Sequence, residues 1–436
     1  MGNPLVATAR GLKGNPRACV YTEPLWGLSM NLCLPYASVY MLALGVRDVQ
    51  IGFITTIGML SQVVFGLLGG ILTDKLGRRK TTAMFDILAW CVPSLIWFAA
   101  SFGDPTWAFW AFLGASVVNG SLQVTQNSWD CLMVEDADRE QITGIYSLVI
   151  VAGQMSAIFA PIAAVLVAQY SLVPAVRVLY LNAFIVMAIK VVWLYLWSHE
   201  TVTGVERMAK TQGQSVFRLL LGYGAVVRLA LRSPGTVFSL VIAILVAAVG
   251  MINNTFWQVI VSLRLHVPDP LLPIFAMGRS ILAMVFLFTI VPRMVKSTKA
   301  TDLRRSLLLG FMIYAAGQSL LALIAPPSGG ADVTTYVLLC VSLLCDGFGV
   351  GILAMLAESL VALHVDQQER SRVMAIQRTT IMLVVAPFGW IGGLLSSVSR
   401  NLPFMLTAAI LVVGVIVTLA YYRRDRLDTA LVEAHA

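Results

Sequence analysis

The stretch GGILTDKLGRRKTT, residues 69–82, sets five charges into seven positions, Asp74, Lys75, Arg78, Arg79 and Lys80, with long apolar runs on either side. The chain around it is 58% hydrophobic and only 12% charged over 436 residues. An ordinary soluble domain is about a quarter charged. Apolar stretches of roughly twenty residues recur along the whole length, each long enough to cross a bilayer as a helix. A soluble protein with one oversized core is excluded. The charged stretch therefore reads as a turn between two membrane-spanning helices.

Working outward from that turn, apolar runs and their breaks predict twelve spans. They lie near 23–44, 49–72, 81–102, 106–133, 142–168, 176–198, 236–263, 270–292, 305–325, 334–362, 372–397 and 402–422. The expected organisation is an N-terminal segment 1–22, a first six-helix bundle 23–198, a linker 199–235, a second bundle 236–422 and a tail 423–436. The fold class is thus an all-α membrane protein of two pseudo-symmetric six-helix bundles. Within the linker, SVFRLLLGYGAVVRLALRSPG (215–235) spaces Arg218, Arg228 and Arg232 along an apolar stretch. That pattern predicts an amphipathic helix at the membrane surface, with a plain solvated linker as the alternative.

Charge placement orients the chain. Of its 30 Lys and Arg, 23 fall in segments on the side of the N-terminus, and only Arg47, Arg177, Arg264 and Arg400 lie opposite. By the positive-inside rule both termini are cytoplasmic. The formal charge of +8 therefore belongs to membrane topology, and nucleic acid is not an expected partner. No short apolar core with a cleavage site follows Arg10, Lys13 and Arg17, so no cleaved signal peptide is expected. The six cysteines show no metal-ligand spacing and read as small apolar residues.

The halves resemble each other weakly, in the same order along the chain, at offsets of 221 to 231 residues. Leu42, Leu44, Val46 and Asp48 match Leu263, Leu265, Val267 and Asp269. Further on, Leu113, Gly120, Leu122, Ser128 and Arg139 match Leu344, Gly351, Leu353, Ser359 and Arg370. Ala160-Pro161 and Ala386-Pro387 occupy equivalent places in spans five and eleven. Two duplicated halves are a transporter architecture, with the solute site between them.

Within the opening stretch, Gly70 allows close helix contact and Gly77 a sharp turn. Asp74 suits the positive N-terminus of another helix, and Arg78 and Arg79 can reach an acid on a neighbouring span. The pattern Gly70-xxx-Asp74-Lys75-x-Gly77-Arg78-Arg79 resembles the signature loop of the major facilitator superfamily of secondary transporters. The layout extends that resemblance over roughly 23–422. The resemblance implies that the loop latches the cytoplasmic side closed, with Asp74 facing the start of span eleven near Arg372. It also implies that Arg78 pairs with an acid at the inner end of span four, for which Asp130 is the candidate. The corresponding loop 291–306 keeps its positive charge but lacks the glycines. Ser116 stands where drug antiporters of the family carry arginine, which weakens that reading.

Ionisable groups inside a membrane are costly and so mark function. Arg279 in span eight and Asp346 in span ten fall at similar depth and form one candidate pair. Glu358 and Arg378 form a second. Arginine stays protonated, so Asp346 or Glu358 would exchange the proton; both pairs can equally be static. In span four Asn119, Gln123, Gln126 or Asn127, and Asp130 share one helix face. Such a stripe lines a water-filled cavity or binds a neighbouring helix. Asn31, Tyr36, Gln62 and Gln154 would complete the cavity, with Asn253, Asn254, Trp257 and Gln258 as second-half counterparts, on the packing the resemblance implies. Aromatics beside amides suit a solute with flat apolar and polar parts. Asp86 and Lys190 are expected to find local partners or to snorkel, and Gly66 and Gly70 to mark close helix packing.

No Walker loop, His-Glu-x-x-His or Gly-x-Ser-x-Gly is present, so neither ATP-driven transport nor hydrolysis is expected. The expectation is a secondary active transporter, not an enzyme, without cofactor or metal. It would be monomeric in the plasma or inner membrane, proton-coupled, and export a small organic or amphipathic solute. An importer or facilitator of a polar metabolite, a lipid flippase, and a non-transporting receptor on a transporter scaffold stand as alternatives.

Overall fold

The computed structural model describes residues 9–138, 141–211, 234–289, 300–364 and 370–434, and among them every regular element is helical. The expected surface helix at 215–235, most of the loop 291–306, and Arg139 lie outside the described residues. So do the side chains of Glu358 and Arg372.

Ten helices among the described residues are long and apolar enough to cross a membrane. Two of the expected spans, the first and the fourth, are absent from that set, and both are interrupted. The first runs as α1 (Gly14–Cys33), a tight 3-10 turn Leu34–Tyr36, and α2 (Ala37–Ala43). Pro35 lies in that turn, where its missing N–H cannot continue the ladder. The fourth runs as α6 (Pro105–Asn119) and α7 (Leu122–Val134), separated at Gly120 and Ser121. Between these lie α3 (Asp48–Leu76), then α4 (Arg78–Asp86), a π-helical turn Ile87–Cys91 and α5 (Val92–Ala99). There follow α8 (Ile142–Met155), α9 (Ala160–Tyr170), α10 (Leu172–Trp197) and α11 (Val202–Thr211).

The later part comprises α12 (Pro234–Val259), α13 (Leu272–Thr289), α14 (Ala300–Leu323) and α15 (Val333–His364). It ends with α16 (Arg370–Val385), α17 (Pro387–Val398) and α18 (Leu402–Ala434). Both Ala-Pro sites of the internal repeat fall at helix breaks. Ala160-Pro161 follows the 3-10 turn Ser156–Phe159, and Ala386-Pro387 separates α16 from α17.

By its contacts the chain divides into one unit of Met1–Gly222 with Pro268–Ser280 and another of Tyr223–Val267 with Ile281–Ala436. Two expected boundaries move. The helix of the first span begins at Gly14 rather than 23, and this extension is buried, its Ala18, Cys19 and Val20, with Leu12 just before it, packed on Trp129, Leu132, Met133, Ile145 and Leu194. At the other end α18 continues through the expected tail to Ala434. In the first unit α3 and α7 approach closely at Gly69, where an added Cβ would lie 3.3 Å from the Gln123 carbonyl oxygen. Gly70 has open space around it among the described residues, so the close contact falls one residue earlier than expected.

The second unit is organised around a buried polar bridge. Gln318 of α14 donates to Asp346 of α15 at 2.9 Å and accepts from Thr407 of α18 at 2.8 Å. All three side chains are buried, and a hydrogen-bonded network of this kind ties three helices into one register. Of the six cysteines, all unpaired, Cys340 faces outward and Cys19, Cys33 and Cys91 are buried.

Candidate functional site: a charged loop, a pocket and a buried ion layer

The signature loop is held from three directions. Gly77 has φ +86°, a conformation that a side chain makes costly. The same residue leaves room for Glu200, whose carboxylate would stand 2.5 Å from a Cβ built there. Glu200 accepts the backbone N–H groups of Arg78 at 2.7 Å and Arg79 at 3.1 Å. It thus satisfies donors left open at the start of α4 and places negative charge on the positive helix end.

Arg78 is buried. Its guanidinium meets Asp74 at 3.0 Å and Glu135 through Nε and Nη2 at 3.0–3.1 Å. The acid at the end of span four is therefore Glu135, not Asp130. Asp130 lies five residues earlier on the helix, at a different angle, and accepts from Gln126 at 3.2 Å. Glu135 also accepts from the Thr201 hydroxyl at 2.5 Å. Arg79 donates twice to the Tyr195 carbonyl, at 2.7 and 3.0 Å, and lies 4.0 Å from the centre of that tyrosine ring. Thr211 at the end of α11 donates to the Asp74 carbonyl at 3.1 Å. Asn15 of α1 joins the same face, donating to Asp136 at 3.3 Å and accepting from the His199 N–H at 2.9 Å.

The polar stripe of span four chiefly binds its neighbours. Pro93 cannot donate to the carbonyl four residues before it, and Asn119 supplies that donor, reaching the Ala89 oxygen at 2.6 Å. Gln123 donates to Gln62 at 3.1 Å, and Asn127 to the Thr73 hydroxyl at 3.1 Å. Beside this seam the first unit contains a cavity of about 210 Å³. Gln62, Asn119, Ser116 and Thr55 contribute its polar wall, and Met30, Met41, Met59, Trp97, Phe112 and Tyr180 much of its apolar wall. Among the described residues no charged side chain lines it.

Two of the expected cavity residues, Gln62 and Asn119, therefore meet in one pocket. The others lie elsewhere. Asn31 donates to the Gly153 carbonyl of α8 at 3.3 Å. Tyr36 is buried in the 3-10 turn, and Gln154 is half-buried on α8. In the second unit Asn253 and Trp257 are buried on α12, Asn254 is exposed and Gln258 half-buried. Arg279 is half-buried and belongs by contacts to the first unit, whereas Asp346 and the exposed Arg378 belong to the second.

Sequence reasoning missed three acids, Glu23, Glu135 and Glu200. For Glu200 a signal existed, since it follows the end of span six on the side of the charged loop. Lys190 does not snorkel. It forms a buried ion pair with Asp86 across α10 and α4.

Many membrane-spanning helices, a small pocket among them and, apart from it, an interlocked charged loop between two helices are the features of a membrane transport protein. The chain belongs to the Major Facilitator Superfamily, whose family model matches residues 25–330 and 299–435. No curated protein matches it in sequence. Among solved structures it is similar to a mutant of the nucleoside transporter NupG, at 16% identity and TM-score 0.72, over 94% of this chain and 100% of that one. A POT family transporter in complex with a thioalcohol-conjugated peptide gives 13% identity and TM-score 0.69, over 96% and 99%. The POT family transporter PepTSo gives 11% and 0.69, over 95% and 98%. At these identities the likeness is one of fold.

Proposed function

We propose that the protein is a proton-coupled secondary transporter that moves a small neutral organic solute by alternating access. Twelve spans in two six-helix halves would rock about a central site, with both termini in the cytoplasm and the solute exported. The observation that carries the solute class is the pocket lined by Gln62 and Asn119. An ion entering a wall without charge would lose its hydration uncompensated. A flat apolar body fits against Trp97, Phe112 and the methionines. Gln62 uses its oxygen on Gln123 and Asn119 its nitrogen on Ala89. Each amide therefore keeps its other end for a solute edge that both accepts and donates. Asp346 and Glu358 are the proposed coupling acids.

A second reading, uptake of a polar metabolite, is favoured by the similarity in fold to nucleoside and peptide transporters. Purified protein in liposomes, challenged with a mixed library of neutral solutes under an imposed pH gradient, tests both. Solute-dependent proton movement supports coupling, and its direction relative to solute movement separates export from uptake. Solute movement without protons leaves a facilitator; neither movement overturns the proposal.

A further inference from the structure

A layer of ionisable side chains lies beneath the charged loop. By helical rise Glu23 is about 13 Å into α1 from Gly14, Asp86 about 12 Å into α4 from Arg78, and Lys190 about 10 Å before the end of α10. These three helix ends meet on one face, since Asn15 bonds to His199 just beyond α10 and Arg79 bonds to Tyr195 within it. The groups thus fall at one depth.

Lys190 and Asp86 pair directly and are almost wholly buried, at 3% and 1% exposure. The second oxygen of Asp86, Oδ1, is buried with no hydrogen-bond partner among the described residues. Glu23 is half-buried. It lies in the field of Lys190, Asp86 and Asp130, and makes no ion pair or hydrogen bond of its own among the described residues.

The charge count is unbalanced. One ammonium faces two carboxylates here, with Asp130 as a third at the edge. Helices α8 and α9 and the turn Ser156–Phe159, which also pack on α1, carry no charged side chain. On α1 itself the nearest titratable neighbours are Cys19, buried one turn earlier, and the exposed Tyr21. Excess negative charge in a low-dielectric layer is costly, and a proton on one carboxylate removes it. Asp86 is sealed by Lys190 and by burial. Glu23 is only half-buried, so of the two carboxylates that face Lys190 it is the one a proton can reach.

We propose that Glu23 is a proton-binding site of this protein, and that its occupancy sets how strongly Lys190 is shared between α1 and α4. With Glu23 ionised, Lys190 is attracted to both helices. With a proton taken from water onto its carboxylate, Lys190 belongs to Asp86 alone, and the tie from α10 to α1 weakens beneath the loop. This site is separate from the acids proposed above in α15 and requires no solute to be known.

Infrared difference spectroscopy of the protein in lipid vesicles, stepped between mildly acidic and mildly alkaline pH, reads the site directly. The wild type is expected to give a reversible band of a protonated carboxyl that is missing from Glu23→Gln and restored, shifted, in Glu23→Asp. Spectra of wild type and Glu23→Gln that superimpose overturn the proposal, as does a wild type without any titrating carboxyl band. In liposomes Glu23→Gln is expected to move fewer protons per solute while exchanging solute across the membrane at the wild-type rate. Loss of exchange together with loss of the band in Glu23→Asp identifies a structural residue and also overturns it. A wild type that moves solute without protons, yet shows the Glu23 band, defeats the coupled-transport reading and leaves this site standing.

Discussion

The carboxylate of Glu200 sits where a side chain at Gly77 would have to go, 2.5 Å from an added Cβ. It caps the helix that Gly77 begins, through the N–H groups of Arg78 and Arg79. The glycine is thus required twice, once for its own φ and once to admit the acid that closes the turn.

Gly77→Ala is therefore expected to destabilise the first unit by about 2 kcal/mol or more, from the left-handed backbone and the displaced cap together. A fall in melting temperature of the detergent-purified protein checks this. An unchanged melting temperature would mean that Glu200 can move aside and the loop can relax.

Arg78 distinguishes its acids. Glu135→Gln removes one charge from a buried guanidinium that keeps Asp74, so a loss of about 1–3 kcal/mol is expected. Asp130→Asn should cost clearly less. Thermal unfolding of the two variants side by side decides, and equal losses would restore Asp130 as a partner in the latch.

Removing Lys190 alone leaves Asp86 buried and charged. Lys190→Met is expected to cost about 3–5 kcal/mol, and a second change, Asp86→Leu, to recover most of it. A double-mutant cycle on unfolding measures the coupling. Additive losses would argue that the pair contributes little to holding α10 against α4.

Gln62→Leu withdraws a polar group from the pocket while keeping its volume. Solute affinity is expected to fall about tenfold, near the 1.4 kcal/mol of one hydrogen bond. Gln123→Leu, which touches the solute only through Gln62, should weaken binding less. Titration calorimetry with a solute found by the liposome screen provides the comparison, and the opposite order would place the solute elsewhere.

Glycines 69 and 70 are adjacent in sequence and opposite in consequence. Gly69→Val drives a side chain into the backbone of α7 at Gln123 and should destabilise by about 1–3 kcal/mol. Gly70→Val meets open space among the described residues and should leave unfolding unchanged. Comparable losses would return Gly70 to the helix contact.

Much of the architecture was legible because hydropathy is a local property. Apolar runs, the charged turns and the Ala-Pro breaks were read where they stand. The span-four stripe was legible as one face that either lines a cavity or binds a neighbouring helix, and the choice between the two was left open. Pro93 frees a carbonyl on a different helix, and only packing shows that Asn119 reaches it. The pairing of Arg78 went to Glu135 because the angular position of an acid at a helix end decides reach, and spacing in the chain leaves several acids eligible. Glu23 carried no local signal linking it to its partners, and Glu200 only its place after the end of span six. Glu200 is separated from Arg78 by 122 residues.

The sequence by itself determined that this chain lives in a membrane, that it spans it many times, and which superfamily its loop belongs to. Those properties follow from the bilayer's demand for long apolar helices and from short motifs that act within one turn. Only the tertiary structure decided which acid receives Arg78, why Gly77 must be bare, and which amides share a pocket. It also placed Lys190 and Asp86 against each other and Glu23 within their field. These depend on the distance and angle between helices far apart in the chain, where a few ångströms separate an ion pair from two unrelated charges.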